Sequence, residues 1–335
     1  GCVGSRVVGV LAGRLLDMSG PPASLPFAGS ISVAPAFAEA GPLAPAPSTH
    51  DAYLDLIQPL RVKIRAGSDS TRKRIRVKVW NGSRERGSVD TLRLSVESLD
   101  CPVGVIVGAP DFDGRTAGDQ DTVALAAGRP AAAKLTLELA AASFTSHSRK
   151  VPTRCSLRFM VESTTAGNID PTPDNNVAYM EINVIDRNDP DRADVHESMI
   201  ESFRATHPGK IELRAGHASQ TKVVKPVVVN GDAGERPGDE LTVVVDDGDC
   251  PPGTLGEVDF DRRAEGAQPS VVVRGERKAR GRLAVHVFAD DFYSPGRRAM
   301  GRCHATLTVS GPGGDSDPSN DATRMVVNVY DRNDM

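Results

Sequence analysis

Aspartate is the residue through which this chain could do chemistry. Asp111 and Asp113 flank Phe112, Asp259 and Asp261 flank Phe260, and Asp186-Arg-Asn188-Asp189 returns as Asp331-Arg-Asn333-Asp334. Paired carboxylates can exchange protons with a substrate or hold a hard cation. Catalysis asks for more than the pair, namely a base, a nucleophile or an oxyanion donor within reach. The seven histidines are scattered, with no H-E-x-x-H or His-x-His among them, and there is no G-x-G-x-x-G, P-loop or G-x-S-x-G. Two copies of one carboxylate pair with no accompanying base read best as Phe112 and Phe260 inserted into cores, their aspartates turned to solvent. No catalytic residue is assigned.

Cysteine is the second chemical resource. Cys101 and Cys155 stand at places equivalent to Cys250 and Cys303, Cys2 is left over, and no C-x-x-C occurs. Two matched pairs predict one disulfide per repeat in an oxidising compartment, against the alternative of four buried thiols in a cytosolic protein. Closing a loop of about 54 residues would stabilise each repeat by roughly 4 kcal/mol on the chain-entropy model.

These residues recur because the chain is a duplication. Asn175–Asp189 reads NNVAYMEINVIDRND and Asn320–Asp334 reads NDATRMVVNVYDRND. Arg65-Ala66-Gly67 matches Arg214-Ala215-Gly216, Asn81-Gly82 matches Asn230-Gly231, and Arg154-Cys155 matches Arg302-Cys303. Between the matches apolar residues alternate, as in Ile75, Val77 and Val79, in Leu135, Leu137 and Leu139, and in Leu283, Val285 and Val287. That period of two is the mark of strands with one buried face. Each copy offers about seven strands, including Leu60–Ile64 and a short one near Thr122–Leu125, which predicts an all-β chain of two tandem antiparallel immunoglobulin-like β-sandwiches. Met180 and Met325 fall on the core side. Pro226 interrupts the second strand of the second copy and marks it as an edge or a bulge. His304 falls on the outward face of its strand, in solvent. Trp80, the single tryptophan, has no counterpart in the other copy, where Val229 stands, so the likeness to immunoglobulins is one of architecture.

The chain divides into residues 1–50, a first module over 51–189, a linker over 190–209 and a second module over 210–335. Residues 1–50 carry no charge between Asp17 and Glu39 and are broken by prolines. They read as a secretory leader ending at Ala36-Phe37-Ala38, or as an Ala/Pro linker, and not as a spanning helix. Gly1-Cys2 leaves lipidation open. In the linker, Asp194 with Glu197 reads as a capping box opening a short helix through Met199, Ile200 and Phe203. The sequon at Asn81-Gly82-Ser83 is better explained by turn geometry than by glycosylation, since Asn230-Gly231 repeats the turn without the serine.

Composition narrows the partners. The 335 residues hold 40 basic and 44 acidic side chains, a net charge of −4, with 39% apolar and 4% aromatic residues. Near balance gives no electrostatic case for nucleic acid.

The Asn-Gly turn at Asn81-Gly82, the acidic loop Asp170-Pro-Thr-Pro-Asp174-Asn175-Asn176 and the last alternating strand together resemble the bacterial cell-adhesion-related domain, CARDB, in two copies. The second copy carries Asp315, Asp317-Pro318 and Asn320-Asp321 at the same places. The resemblance implies secreted or cell-surface immunoglobulin-like modules acting as adhesive, spacer or accessory units toward protein or polysaccharide, with no catalytic residues. The D-R-N-D exits are similar to the cadherin linker motif D-x-N-D-N, which would make Asp186, Asn188, Asp189, Asp331, Asn333 and Asp334 calcium ligands, calcium being the one cofactor in question. Pro190 and Met335 stand where the motif has its last asparagine, and the alternative is a charged turn. The expected function is therefore non-catalytic extracellular binding, adhesion or spacing. Its rivals are a calcium-rigidified rod and a set of modules accessory to a larger secreted enzyme.

Overall fold

The structure is a computed structural model. It describes residues 51–55, 57–83, 87–114, 120–144, 152–187, 198–203, 210–232, 238–261, 266–293, 300–313, 315 and 317–333.

The first module builds nine strands: β1 (Ala52–Leu54), β2 (Leu60–Ile64), β3 (Ser70–Asn81), β4 (Val89–Ser98), β5 (Val105–Val107), β6 (Thr122–Ala126), β7 (Pro130–Ala140), β8 (Thr153–Ser163) and β9 (Val177–Asp186). One sheet runs β1-β3-β7-β5 and the other β2-β9-β8-β4-β6. Every pair is antiparallel except β2 on β9, which runs parallel with Val62 opposite Val184. Alternation places Ile75, Val77 and Val79 of β3 inside while Arg74, Arg76 and Lys78 face solvent. Leucines of β4 and β7, Phe159 of β8 and Met180 of β9 close the core between the sheets. Phe112 packs half-buried against it from the side, but its neighbour Asp111 is not turned to solvent as expected, being half-buried with Oδ1 enclosed, and Asp259 repeats this in the second copy.

The second module repeats the plan in eleven strands: β10 (Ser198–Ile200), β11 (Lys210–Leu213), β12 (Ser219–Val224), β13 (Val227–Asn230), β14 (Asp239–Asp246), β15 (Leu255–Asp259), β16 (Ser270–Val273), β17 (Lys278–Arg280), β18 (Arg282–Phe288), β19 (Gly301–Ser310) and β20 (Ala322–Asp331). The sheet β11-β20-β19-β14-β16 matches its counterpart strand for strand, including the parallel pair β11 on β20. The facing sheet is cut in two, β10-β13-β17 and β12-β18-β15. The cut falls at Pro226, which has no N–H to give a ladder. Gly281, at the matching break, donates its N–H to the Pro226 carbonyl at 3.0 Å. A Cβ on Gly281 would stand 2.7 Å from Val258, so only glycine lets the two chains cross there. The proline thus divides a sheet, where an edge or a bulge was expected.

The extra strands beyond seven are short or split pieces. β1 and β10 are three residues each, too short for a periodic signal, and β10 corrects the expected linker helix. Met199 and Ile200 are buried in extended chain, paired with Val229 and Val228. The spacing of Met199, Ile200 and Phe203 suits one helical face, but three residues of ladder and burial in the core outweigh a propensity worth tenths of a kcal/mol. Asp194 and Glu197 lie outside the described residues, as do residues 1–50 with Cys2 and residues 190–197 and 204–209 of the linker.

The two modules keep separate cores, and each is cross-linked: Cys101 to Cys155 and Cys250 to Cys303, at separations of 54 and 53 residues. Replacing Cys250 and Cys303 together by alanine is expected to lower unfolding stability by roughly 4 kcal/mol through the freed loop, read as an earlier denaturant midpoint of the module-2 transition. An unchanged midpoint would contradict the cross-link.

Candidate functional site

Two arginines on the outward faces of matching strands define the site. Arg154 of β8 and Arg302 of β19 precede the bridged cysteines, and they are only 4% and 3% exposed. Each reaches across the seam between the modules. Arg302 donates from Nε to Asn328 of its own module at 2.9 Å. From Nη1 it donates to the carbonyls of Asn175 and Val177 at 3.0 and 2.8 Å, and from Nη2 to that of Leu54 at 2.9 Å. Arg154 does the same in reverse, from Nε to Asn183, from Nη1 to the carbonyls of Asn320 and Ala322, and from Nη2 to Ile200 at 2.7 Å. Every acceptor is the counterpart of the other's. The modules therefore meet as a two-fold pair made within one chain, residue i on j and its copy on the copy of j.

Among the described residues no carboxylate pairs with Arg302, and burial pulls its pKa down to about 10, offset in part by Asp55 and Tyr53. Arg154 is likewise lowered by burial, with Glu181 at 3.9 Å opposing. Glu181 is otherwise engaged across the seam, accepting from Thr323 Oγ1 and from the Arg324 N–H at 2.7 Å.

The acidic Asn-rich loops prove to be latches. Asp170 accepts from the N–H groups of Ala52 and Thr172 and from Asn176, which pins β1; Asp315 accepts from the N–H and hydroxyl of Ser198 and pins β10. In this way the loops fix the strands whose Leu54 and Ile200 carbonyls the arginines use. Crowded carboxyls result: burial raises Asp51 to about 6, and burial with Asp315 beside it raises Asp321 to about 7.

Of the expected calcium ligands, Asn188, Asp189 and Asp334 lie outside the described residues. Asp331 is 1% exposed and turns the chain: its Oδ1 accepts from the N–H and Nδ2 of Asn333, whose own amide closes on Gly216 and His217. Asp331 Oδ2 finds no hydrogen-bond partner among the described residues. Asp186 ends β9 opposite Ile64. Among the described residues, one group of three metal-capable side chains comes together, Asp249 with Cys250 and Cys303, and its two sulfurs are already joined to each other.

His304 corrects its expected place. It is buried beneath the first module, edge-on to Tyr179 at 5.0 Å, with Nδ1 3.0 Å from Asp249 Oδ2. An outward strand face looks solvated only until a second module covers it. Burial disfavours the Asp249 carboxylate, but hydrogen bonds from His304 outweigh that and hold its pKa below the usual range. This flank of the seam forms a small acidic cleft of about 100 Å³ with Asp174, Asp249 and Asp291 in its walls.

The opposite flank opens into a groove of about 320 Å³. Its floor holds Arg154 and Asn183, its first-module wall Gln58, Pro59, Arg61 and Pro152, and its second-module wall Met199, Glu201, Ser202 and Lys278. Asn183 and Ser202 exchange hydrogen bonds across it at 3.0 and 3.2 Å. Arg154 and Arg302 were visible in the sequence only as register marks beside the cysteines. An identical arginine on the polar face of both copies was the signal that could have found them.

No family model and no curated protein matches the sequence. Among solved structures, the secreted serine protease VesC from Vibrio cholerae is similar at 10% identity over 70% of this chain and 46% of its own length, with a TM-score of 0.27. The CupB6 tip adhesin from Pseudomonas aeruginosa is similar at 10% identity over 84% and 97%, with 0.25. A carbohydrate-binding protein from Bacteroides ovatus, so described provisionally, gives 12% over 81% and 71%, with 0.24. All three are β-rich likenesses at scores too low to argue from, and the fold rests on its own strand pairing.

Three outcomes follow from this geometry. Arg302→Met strands three carbonyls in the seam and is expected to cost about 3–5 kcal/mol in urea unfolding, with Arg302→Lys recovering little because a point charge cannot span the three acceptors. The raised carboxyls hold protons in the folded chain that the unfolded chain has released. Folding therefore takes up protons above about pH 4, and the stability of the protonated form is lost as pH rises through about 6 and about 7. The melting midpoint is expected to fall over that window, and Asp321→Asn to flatten its upper part. Finally, since the described part of the D-R-N-D exit acts as a turn, a chelator is expected to leave the melt unchanged while Asp331→Ala lowers it; a calcium-dependent rise abolished by Asp331→Asn would establish the metal instead.

Proposed function

We propose that this chain is a non-catalytic, extracytoplasmic binding protein of two CARDB-like modules, holding its ligand, a protein or polysaccharide of the cell surface, in the groove between them. The carrying observation is that groove: about 320 Å³, walled by both modules and floored by a locked arginine network. Ligand sites favour such interdomain clefts with a few convergent polar groups on apolar walls. The two disulfides suit an oxidising compartment, and no helix among the described residues is long and apolar enough to cross a membrane. Because the seam is fixed before the ligand arrives, little ordering entropy remains to be lost on binding.

Gln58 lies exposed on the groove wall, so Gln58→Trp fills the site without disturbing the core. On an array of bacterial-surface glycans and proteins, the native chain is expected to capture a ligand that the Gln58→Trp chain loses at an unchanged melting temperature. Equal capture by both chains would remove the groove from the function.

A further inference from the structure

The groove is cationic in a chain whose net charge is negative. Arg61, Arg154 and Lys278 face it, and the one acid among its lining residues, Glu201, is already ion-paired with Lys278. Arg154 carries five N–H donors. Four are used by one side-chain amide and three carbonyls, and the fifth, on Nη2, has no partner among the described residues. Carbonyl dipoles solvate that buried guanidinium, and Glu181 pairs with it at 3.9 Å from Nε. With Arg61 and Lys278 exposed above it, three cations against one acid among the lining residues favour an anion in the groove. The remaining lining has a different character. Gln58, Asn183 and Ser202 offer both donors and acceptors, while Pro59, Pro152 and Met199 give apolar faces. Alternating donor–acceptor pairs suit vicinal hydroxyls, and the apolar faces suit the C–H side of a sugar ring. The volume admits a ligand of a few rings and not a folded partner.

Resting on the binding reading above, we propose that the groove takes a carboxylate-bearing saccharide, a uronic acid residue within a polysaccharide. Its carboxylate faces Arg61, Arg154 and Lys278, and its hydroxyls face Gln58, Asn183 and Ser202. The Asn183–Ser202 pair opens to the hydroxyls, each partner exchanging the hydrogen bond it loses for one to the sugar.

Isothermal titration of the full chain with oligogalacturonate, its methyl-esterified form, a neutral oligogalactan and a polyglutamate peptide decides the class. Oligogalacturonate is expected to bind, with affinity falling at least tenfold on esterification and with added salt. Arg61→Glu and Lys278→Glu, both at exposed positions, are expected to cost tenfold or more each at an unchanged melting temperature, while Glu201→Gln tightens binding. Equal affinity for the esterified or neutral saccharide would overturn the carboxylate assignment. Preference for polyglutamate would overturn the saccharide, and point to a strand added along the exposed edges β2 or β17. Either result leaves the binding reading standing. Capture on the array of a ligand from none of these classes would sink the present inference alone, whereas identical capture by the Gln58→Trp chain would remove the groove and both readings with it.

Discussion

Everything in this molecule answers to the burial of two guanidinium groups in the seam between its modules. Taking a charge out of water costs several kcal/mol even after relaxation, and here the compensation is chiefly a set of aligned carbonyls, with Glu181 added beside Arg154. Those carbonyls are available only because a three-residue strand and an Asn-rich turn in each module present them at the right depth. β1 and β10 must be latched by Asp170 and Asp315, the turns must be held by Asn175 and Asn320, and the strands β8 and β19 must carry arginine on the face that a lone sandwich would give to water. Arginine is required because its fork reaches several acceptors at once. Move one module by an ångström or two and three hydrogen bonds per arginine fail together, which makes the seam an all-or-none joint rather than a graded contact.

How far the sequence reveals this follows from the kind of signal each part leaves. The long strands are legible because a buried face imposes a period of two, and β2, β4, β7 and β9 sit where the alternation places them. The duplication is legible because turns need particular residues, and Asn-Gly and Asp-Pro survive in both copies. β1, β5 and β10 are not, since three residues carry no period; β10 misleads, because Met199, Ile200 and Phe203 fit a helical stripe as well as a strand. The seam escapes for a deeper reason. Period-two reasoning sorts side chains into core and solvent, and a second module adds a third destination. Arg154, His304 and Glu181 alternate out of their own cores and are buried all the same.

Symmetry explains the pairing but not the function, which lies where the symmetry fails. The first copy has Ser156 where the second has His304, and Tyr179 and Glu181 where the second has Arg324 and Val326. One flank thereby gathers Asp174, Asp249 and Asp291 around a buried imidazole, while the other gathers Arg61 and Lys278 above Arg154. A homodimer of identical modules must present the same chemistry on both sides of its axis. A fused pair is free of that constraint, and the two ends of this seam have taken opposite charge.

That divergence bears on whether the chain is a spacer or a binder. A spacer needs only that its modules keep a fixed angle, and the reciprocal arginines supply that with no groove at all. The flank with a groove instead sets Arg61 and Lys278 over Arg154 and places a side-chain amide and a hydroxyl in its lining. Polar groups held in place with capacity to spare are costly to keep in a structure whose sole task is stiffness, because filling the groove with apolar side chains would stabilise the joint further. Their retention in a groove that both modules wall is the feature a rigid rod does not explain and a binding site does.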